Sequence, residues 1–260
     1  QRKWGVNGQN ISKFESFARS IIPQQIPVLY LEGYNQLMKQ VDSLTWPKNP
    51  KVIFTSNSHY SDDVFKAWAA DKVEQGAPLV IGQHGGHYGI GLWSFTEDHE
   101  IAISTSYLSW GWSESGQKKV KPVGQLKAKL PIVDLDSKRN GALMVTTTLP
   151  RKSYRMYSVA VSRQWLDYFE DNSTFVKELP ESIQNSLTVR LHRQDRGWNQ
   201  VERWKDRFPE INLDKSRYSI KDMILKSNLV ICTYNATTYL ESFTMNVPTV
   251  IFWNPEQWEI

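Results

Sequence analysis

Ala77-Pro-Leu-Val-Ile-Gly-Gln-His-Gly-Gly-His-Tyr-Gly-Ile-Gly91 decides how this chain is read. Its first five residues form a short apolar run around a proline, which predicts a buried strand. The next ten hold five glycines around His84 and His87, so the backbone turns sharply and comes close to a ligand. A histidine loop at the carboxyl end of a strand sits where open α/β sheets put their chemistry. The competing reading is a tight connection whose imidazoles bond only backbone carbonyls. The functional reading is preferred because loops at strand ends carry sites more often than cores do.

Outward from this loop, apolar runs alternate with helical patterns. In the first half, residues 27–30 predict a strand, and Tyr34, Leu37, Met38 and Val41 mark a helix. Residues 51–55 form the next strand. Ser61 is expected to cap a helix with Asp62 and Asp63 in its first turn and Gly76 as its stop. Residues 79–81 and 100–103 complete a four-strand set.

In the second half, strands are expected at 141–146, 187–191, 211–213, 228–232 and 248–252, with helices from Trp165, over 219–226 and over 238–246. The expected fold class is α/β, with two Rossmann-like domains, 1–123 and 124–260, whose parallel sheets face a cleft. Gln1 in place of a methionine, and an end just past a strand-like run, suggest a piece of a longer protein.

The chain has 260 residues, 40% hydrophobic and 22% charged, with a formal charge of +4. That composition suits a globular protein whose ligands include small anions, and it is too weakly basic to argue for nucleic acid. A lone cysteine, Cys232, excludes an internal disulfide and points to a reducing compartment. No run approaches a membrane span, and no signal-peptide pattern is present. The 11 tryptophans read mainly as packing residues, with some available as platforms for sugar rings. Sequons at Asn10, Asn172 and Asn235 carry no weight without secretion.

Three polar loops follow strands in the second half, and a parallel sheet brings such loops to one edge. The first holds Thr146, Thr147, Thr148, Arg151 and Lys152. The second holds His192, Arg193, Asp195 and Arg196. The third runs through Asn235, Thr237, Thr238 and Glu241. A helix starting at Thr237 or Thr238 offers open N–H groups and its positive dipole end, a cradle for phosphate. A capping box between Thr238 and Glu241 fits the same residues equally well. Glu241 has a further option, a ribose hydroxyl. Glu97-Asp-His-Glu100 is read as a solvated loop, because neighbours in an extended segment cannot all ligate one ion. Trp110 and Trp112 offer aromatic walls or core packing. No Gly-x-Ser-x-Gly elbow, P-loop or dinucleotide fingerprint is present.

Three segments carry a resemblance: residues 82–89, Leu108-Ser-Trp-Gly-Trp112 and Asn235-Ala-Thr-Thr-Tyr-Leu-Glu-Ser242. Together they resemble a transferase family of bacterial surface-carbohydrate (O-antigen and capsule) gene clusters. They are more distantly similar to two-Rossmann-domain GT-B glycosyltransferases and to CDP-glycerol glycerophosphotransferases. The resemblance implies metal-independent, inverting transfer from a nucleotide-activated sugar to a glycan or lipid-linked glycan, with no cofactor beyond that donor substrate. His84 matches a His-Gly turn whose histidine acts as base on the acceptor side, with His87 assisting and Gln83, Tyr88, Trp110 and Trp112 toward the acceptor. Thr147, Thr148, Arg151, His192, Arg193, Asn235, Thr237, Thr238 and Glu241 would hold the donor on the second domain. The location implied is the cytoplasm, including the inner face of its membrane. An aspartate expected near Ser104-Thr-Ser106 is absent. Two other readings stay open: transfer of an alditol phosphate from a CDP-linked donor, and a nucleotide-sugar-binding module without turnover.

Overall fold

The computed structural model describes residues 2–5, 8–9, 12–91, 94–126, 130–134, 136–152 and 159–258, so Asn10 lies outside them. The chain divides into two compact units, Gln1–Gly82 with Ile103–Tyr107, and Gln83–Ala102 with Leu108–Ile260.

The first unit opens with α1 (Lys13–Gln25), capped by the Ser12 hydroxyl, which accepts the Glu15 N–H. Residues 27–30, expected as a strand, are instead a 3-10 turn over Val28–Tyr30. The Leu31 and Gly33 N–H groups both close on the Val28 carbonyl, so local bonds take the backbone that a strand would leave for a neighbour. Helix α2 (Tyr34–Asp42) buries Leu37 and Val41, four residues apart on one face. Strand β1 (Ile53–Thr55) leads into a single turn, α3 (Ser58–Ser61), and then α4 (Asp63–Glu74). Asp62 rather than Ser61 caps α4, its Oδ1 accepting the Phe65 N–H at 3.0 Å. Strand β2 (Leu79–Gly82) pairs parallel with β1, Ile53 opposite Leu79.

Helix α5 (Phe95–Ile103) replaces the strand expected at 100–103. Glu97 and Asp98 favour the positive end of a helix in its first turn, and the apolar run after Glu100 is too short to impose extended backbone. Strands β3 (Ser106–Ser109) and β4 (Val120–Pro122) complete a sheet of order β1-β2-β3-β4.

The larger sheet begins with β5 (Ala142–Val145), followed by α6 (Gln164–Glu178), α7 (Glu181–Gln184) and β6 (Leu187–Arg190). Then come α8 (Gln200–Arg207), β7 (Asn212–Asp214), α9 (Ile220–Lys226) and β8 (Leu229–Cys232). Helix α10 (Thr237–Thr244), β9 (Thr249–Ile251) and α11 (Pro255–Trp258) end the described chain. All pairings here are parallel, in the order β7-β6-β5-β8-β9.

Strand β5 is buried on both faces. Ala142 and Met144 pack with Trp165, Phe169 and Trp204, while Leu143 and Val145 pack with Ile224, Val230 and Met245. That explains its unbroken apolar sequence, since alternate residues supply two separate cores. The chain winds outward from β5 through β6 and β7, then returns to β8. Ligands of open α/β sheets bind where the strand order reverses, here at the carboxyl ends of β5 and β8.

Candidate functional site

The imidazole loop follows β2 and belongs to the larger compact unit. Gln83, only 2% exposed, fastens it. Its Nε2 donates to the Gly85 carbonyl at 2.6 Å, and its Oε1 accepts the Trp110 backbone N–H and the Trp112 indole N–H, each at 2.8 Å. Gly89 has φ +80°, and a methyl group there would stand 2.8 Å from the Trp112 ring. Gln83 and Trp112, both expected toward an acceptor, therefore hold the loop's shape. Glu97 accepts the Gly89 N–H at 2.7 Å, and burial pushes its carboxyl above the usual range despite that bond.

His84 keeps 39% of its side chain exposed, while Glu100 beneath it is 1% exposed. His84 Nδ1 lies 3.3 Å from the Tyr88 hydroxyl and 3.9 Å from Glu100 Oε1. The Tyr88 hydroxyl donates to Glu100 Oε1 at 3.0 Å. Burial, then the Glu100 charge, push the Tyr88 phenol up. His87 packs on Tyr88 with ring centroids 4.5 Å apart. Burial holds it below the ordinary imidazole value, with His84 adding and Glu100 opposing.

At the ends of β5 and β8, hydrogen bonds run in one direction. The Thr147 N–H donates to the Tyr168 hydroxyl at 3.0 Å, Tyr168 bonds the Thr233 hydroxyl, and Thr233 donates to the Val145 carbonyl at 3.0 Å. Above them, Trp165 and Trp198 stack with centroids 4.6 Å apart, and their indole N–H groups donate to the Thr147 and Leu149 carbonyls. Arg151 lies 5.7 Å over the Trp198 ring, and its backbone N–H reaches the Arg196 carbonyl. Thr148 is buried. Half-buried His192 accepts the Gln194 N–H at Nδ1, 3.2 Å away, and Arg193 is exposed. Asp195 shapes the same loop. Partial burial would raise its carboxyl, yet N–H groups of Gln200, Asn199, Trp198 and Gly197 hold it below its usual value.

Helix α10 starts at Thr237 with Ala236 at the cap and no side-chain capping bond. Thr238 is thus already helical and does not cap a box with Glu241. Its hydroxyl bonds the Tyr234 hydroxyl at 3.0 Å. Asn235 is 1% exposed, and its amide donates to the Trp258 carbonyl at 2.7 Å, so it braces the turn from within. Glu241 is half-buried one turn into the helix. Burial, with Glu241 adding, pushes the Cys232 thiol up to about 12.

The two halves of this arrangement touch. A methyl group on Gly86 would come within 2.3 Å of the Ala236 carbonyl oxygen and 2.7 Å of the Thr237 nitrogen, so only glycine fits there. The Tyr239 hydroxyl donates to the Gly86 carbonyl at 3.3 Å. The imidazole loop thus rests on the open start of α10.

A model of the LIC12162 family transferase matches residues 1–260. The chain belongs to this transferase family. No curated protein matches it. A crystal structure of MurG from Acinetobacter baumannii is similar to it, with a TM-score of 0.47 and 14% identity over 97% of this chain. The chain spans 63% of that MurG chain.

In this LIC12162-family transferase, two groups expected from sequence are brought together, the His84 loop and the start of α10, while the threonines after β5 are joined to the end of β8 through Tyr168. Arg151 and Arg193 stand on the neighbouring β5 and β6 loops. Tyr168 was not anticipated; Glu100, expected in a solvated loop, is buried beneath His84 instead, and Thr233 and Tyr239, expected only as members of the third loop, act through contacts far away in sequence. Among the described residues no His/Cys/Asp/Glu group could hold a metal ion, and no helix is long and apolar enough to cross a membrane.

Proposed function

We propose that this chain moves a sugar from a nucleotide-activated donor to a hydroxyl of a surface-polysaccharide acceptor. One observation carries the reading: Gly86, two residues after His84 in the imidazole loop, lies against Ala236 and Thr237 at the start of α10. Two Cα steps of about 3.8 Å each keep the His84 backbone within about 8 Å of Gly86.

The first-turn N–H groups of α10 attract the donor phosphates, and the Thr237 hydroxyl adds a donor. Arg151 and Arg193 supply positive charge from the adjoining loops. The acceptor oxygen attacks the anomeric carbon as His84 Nε2 takes its proton. The bond from that carbon to the phosphate oxygen breaks, and the nucleotide leaves with the electron pair. Attack opposite the leaving group inverts the anomeric centre. N–H dipoles and guanidinium groups carry the leaving group's charge, so this route runs without a metal. The reaction is proposed for the cytoplasm, including the inner face of its membrane.

Nucleotide release from UDP-, GDP-, CMP- and CDP-linked donors tests the reading. His84→Ala is expected to lower turnover by ~10²–10⁴-fold while nucleotide still binds. Full turnover by that variant overturns the base assignment. Release only from CDP-linked alditols replaces sugar transfer with alditol-phosphate transfer, and binding without turnover of any donor leaves a binding module.

A further inference from the structure

Resting on that reading of His84, we propose that Tyr88 and Glu100 are positioning residues that fix its tautomer, holding the ring proton on Nδ1 and leaving the Nε2 lone pair for the acceptor hydroxyl.

Tyr88 has one hydroxyl hydrogen, and it points to Glu100 Oε1 at 3.0 Å. Thr96 also bonds this phenol, in the sense that favours the ionised form, so the Thr96 hydroxyl donates and does not compete for the phenol hydrogen. Toward His84 Nδ1, 3.3 Å away, the phenol oxygen then offers only lone pairs, so Nδ1 must bring the hydrogen. Glu100 Oε1, 3.9 Å from Nδ1, draws the N–H proton the same way. The opposite tautomer would set the Nδ1 lone pair against a phenol lone pair and a carboxylate. Among the described residues Nε2 meets no hydrogen-bond partner, and the ring is 39% exposed. The titratable groups facing this ring are Tyr88, Glu100 and His87. Glu100 projects from α5 and Tyr88 is itself buried, so the ring is held from beneath by packed side chains.

The test uses the full chain and needs no substrate. Nitrogen-15 NMR with two-bond proton–nitrogen correlations reads which ring nitrogen of His84 is protonated, with His84→Gln identifying its signals. The neutral wild-type ring is expected to carry its proton on Nδ1. Tyr88→Phe and Glu100→Gln, close in shape to the originals, should move the population toward the Nε2–H form that an unconstrained neutral histidine side chain prefers. A wild-type ring protonated on Nε2 overturns the inference. So does a folded Tyr88→Phe variant with the wild-type pattern, which decides the matter if Glu100→Gln does not fold. In turnover, Tyr88→Phe should lower kcat ~10²-fold with KM unchanged, because positioning acts on the base. A shifted tautomer with unchanged kcat leaves this inference standing and overturns His84 as the base.

Discussion

A side chain as small as a methyl on Gly86 would collide with the Ala236 carbonyl oxygen at 2.3 Å. The imidazole loop and the α10 start are therefore fitted to each other by backbone shape, and what displaces one displaces the other.

Gly86→Ala should therefore cost about 1–3 kcal/mol, as overpacking does. It should also weaken nucleotide diphosphate binding, because Ala236 and Thr237 must retreat. Thermal unfolding and calorimetric titration check both effects. Gly85→Ala is the milder comparison: its methyl would meet the His87 ring at 3.0 Å and the Tyr88 ring at 3.3 Å, side chains rather than backbone, so a smaller loss is expected. Equal melting temperatures for wild type and Gly86→Ala would refute the close fit.

Gln83→Leu keeps the side-chain volume and removes three hydrogen bonds. Each buried group left unpaired costs about 1–3 kcal/mol, so urea unfolding should show a large loss. The Trp112 ring, no longer held by its indole N–H, should change its fluorescence in the folded state. A variant as stable as wild type would show that the loop is fastened elsewhere.

Arg190 and Asp214 form a buried ion pair, their side chains 12% and 5% exposed. The arginine also donates to the Tyr218 carbonyl at 3.0 Å. Asp214→Ala strands that charge and should cost about 3–5 kcal/mol, whereas Arg190→Met combined with Asp214→Leu should recover most of it. Denaturant melts of Arg190→Met, Asp214→Leu and the double give the coupling; additive losses would contradict a dependent pair.

His87 sits below the ordinary imidazole value in the folded chain because burial disfavours its charged form, with His84 adding and Glu100 opposing. The unfolded chain thus binds the extra proton first, and stability falls as pH drops below about 6.5. His87→Phe should flatten that part of the stability curve, read as melting temperature between pH 7 and pH 5. A slope unchanged by the substitution would assign the effect to other groups.

The larger sheet was legible because its strands are apolar runs ended by polar or glycine turns, and β5 and β8 carry no other periodicity. Residues 27–30 and 100–103 show where that signal fails. An apolar run of three or four residues fits a turn or a helix as well as a strand, and hydrogen-bond partners decide. The histidine loop and the threonine helix start were also visible locally. Their contact was not, because Tyr239 and Gly86 are 153 residues apart and nothing in either segment encodes the other. Glu100 was hidden by the same failure: in an extended segment it belongs to a solvated cluster, whereas on α5 it turns inward beneath His84. The carboxylate missing near residues 104–106 thus has a neighbour in the chain that stands beside the imidazole.

Tyr168 ties the ends of β5 and β8 from behind, through Thr147 and Thr233. That rivet holds the two strand ends at one spacing. Arg193, exposed on the β6 loop, stands outside that rivet, so a change there leaves the spacing of the two strand ends unaltered.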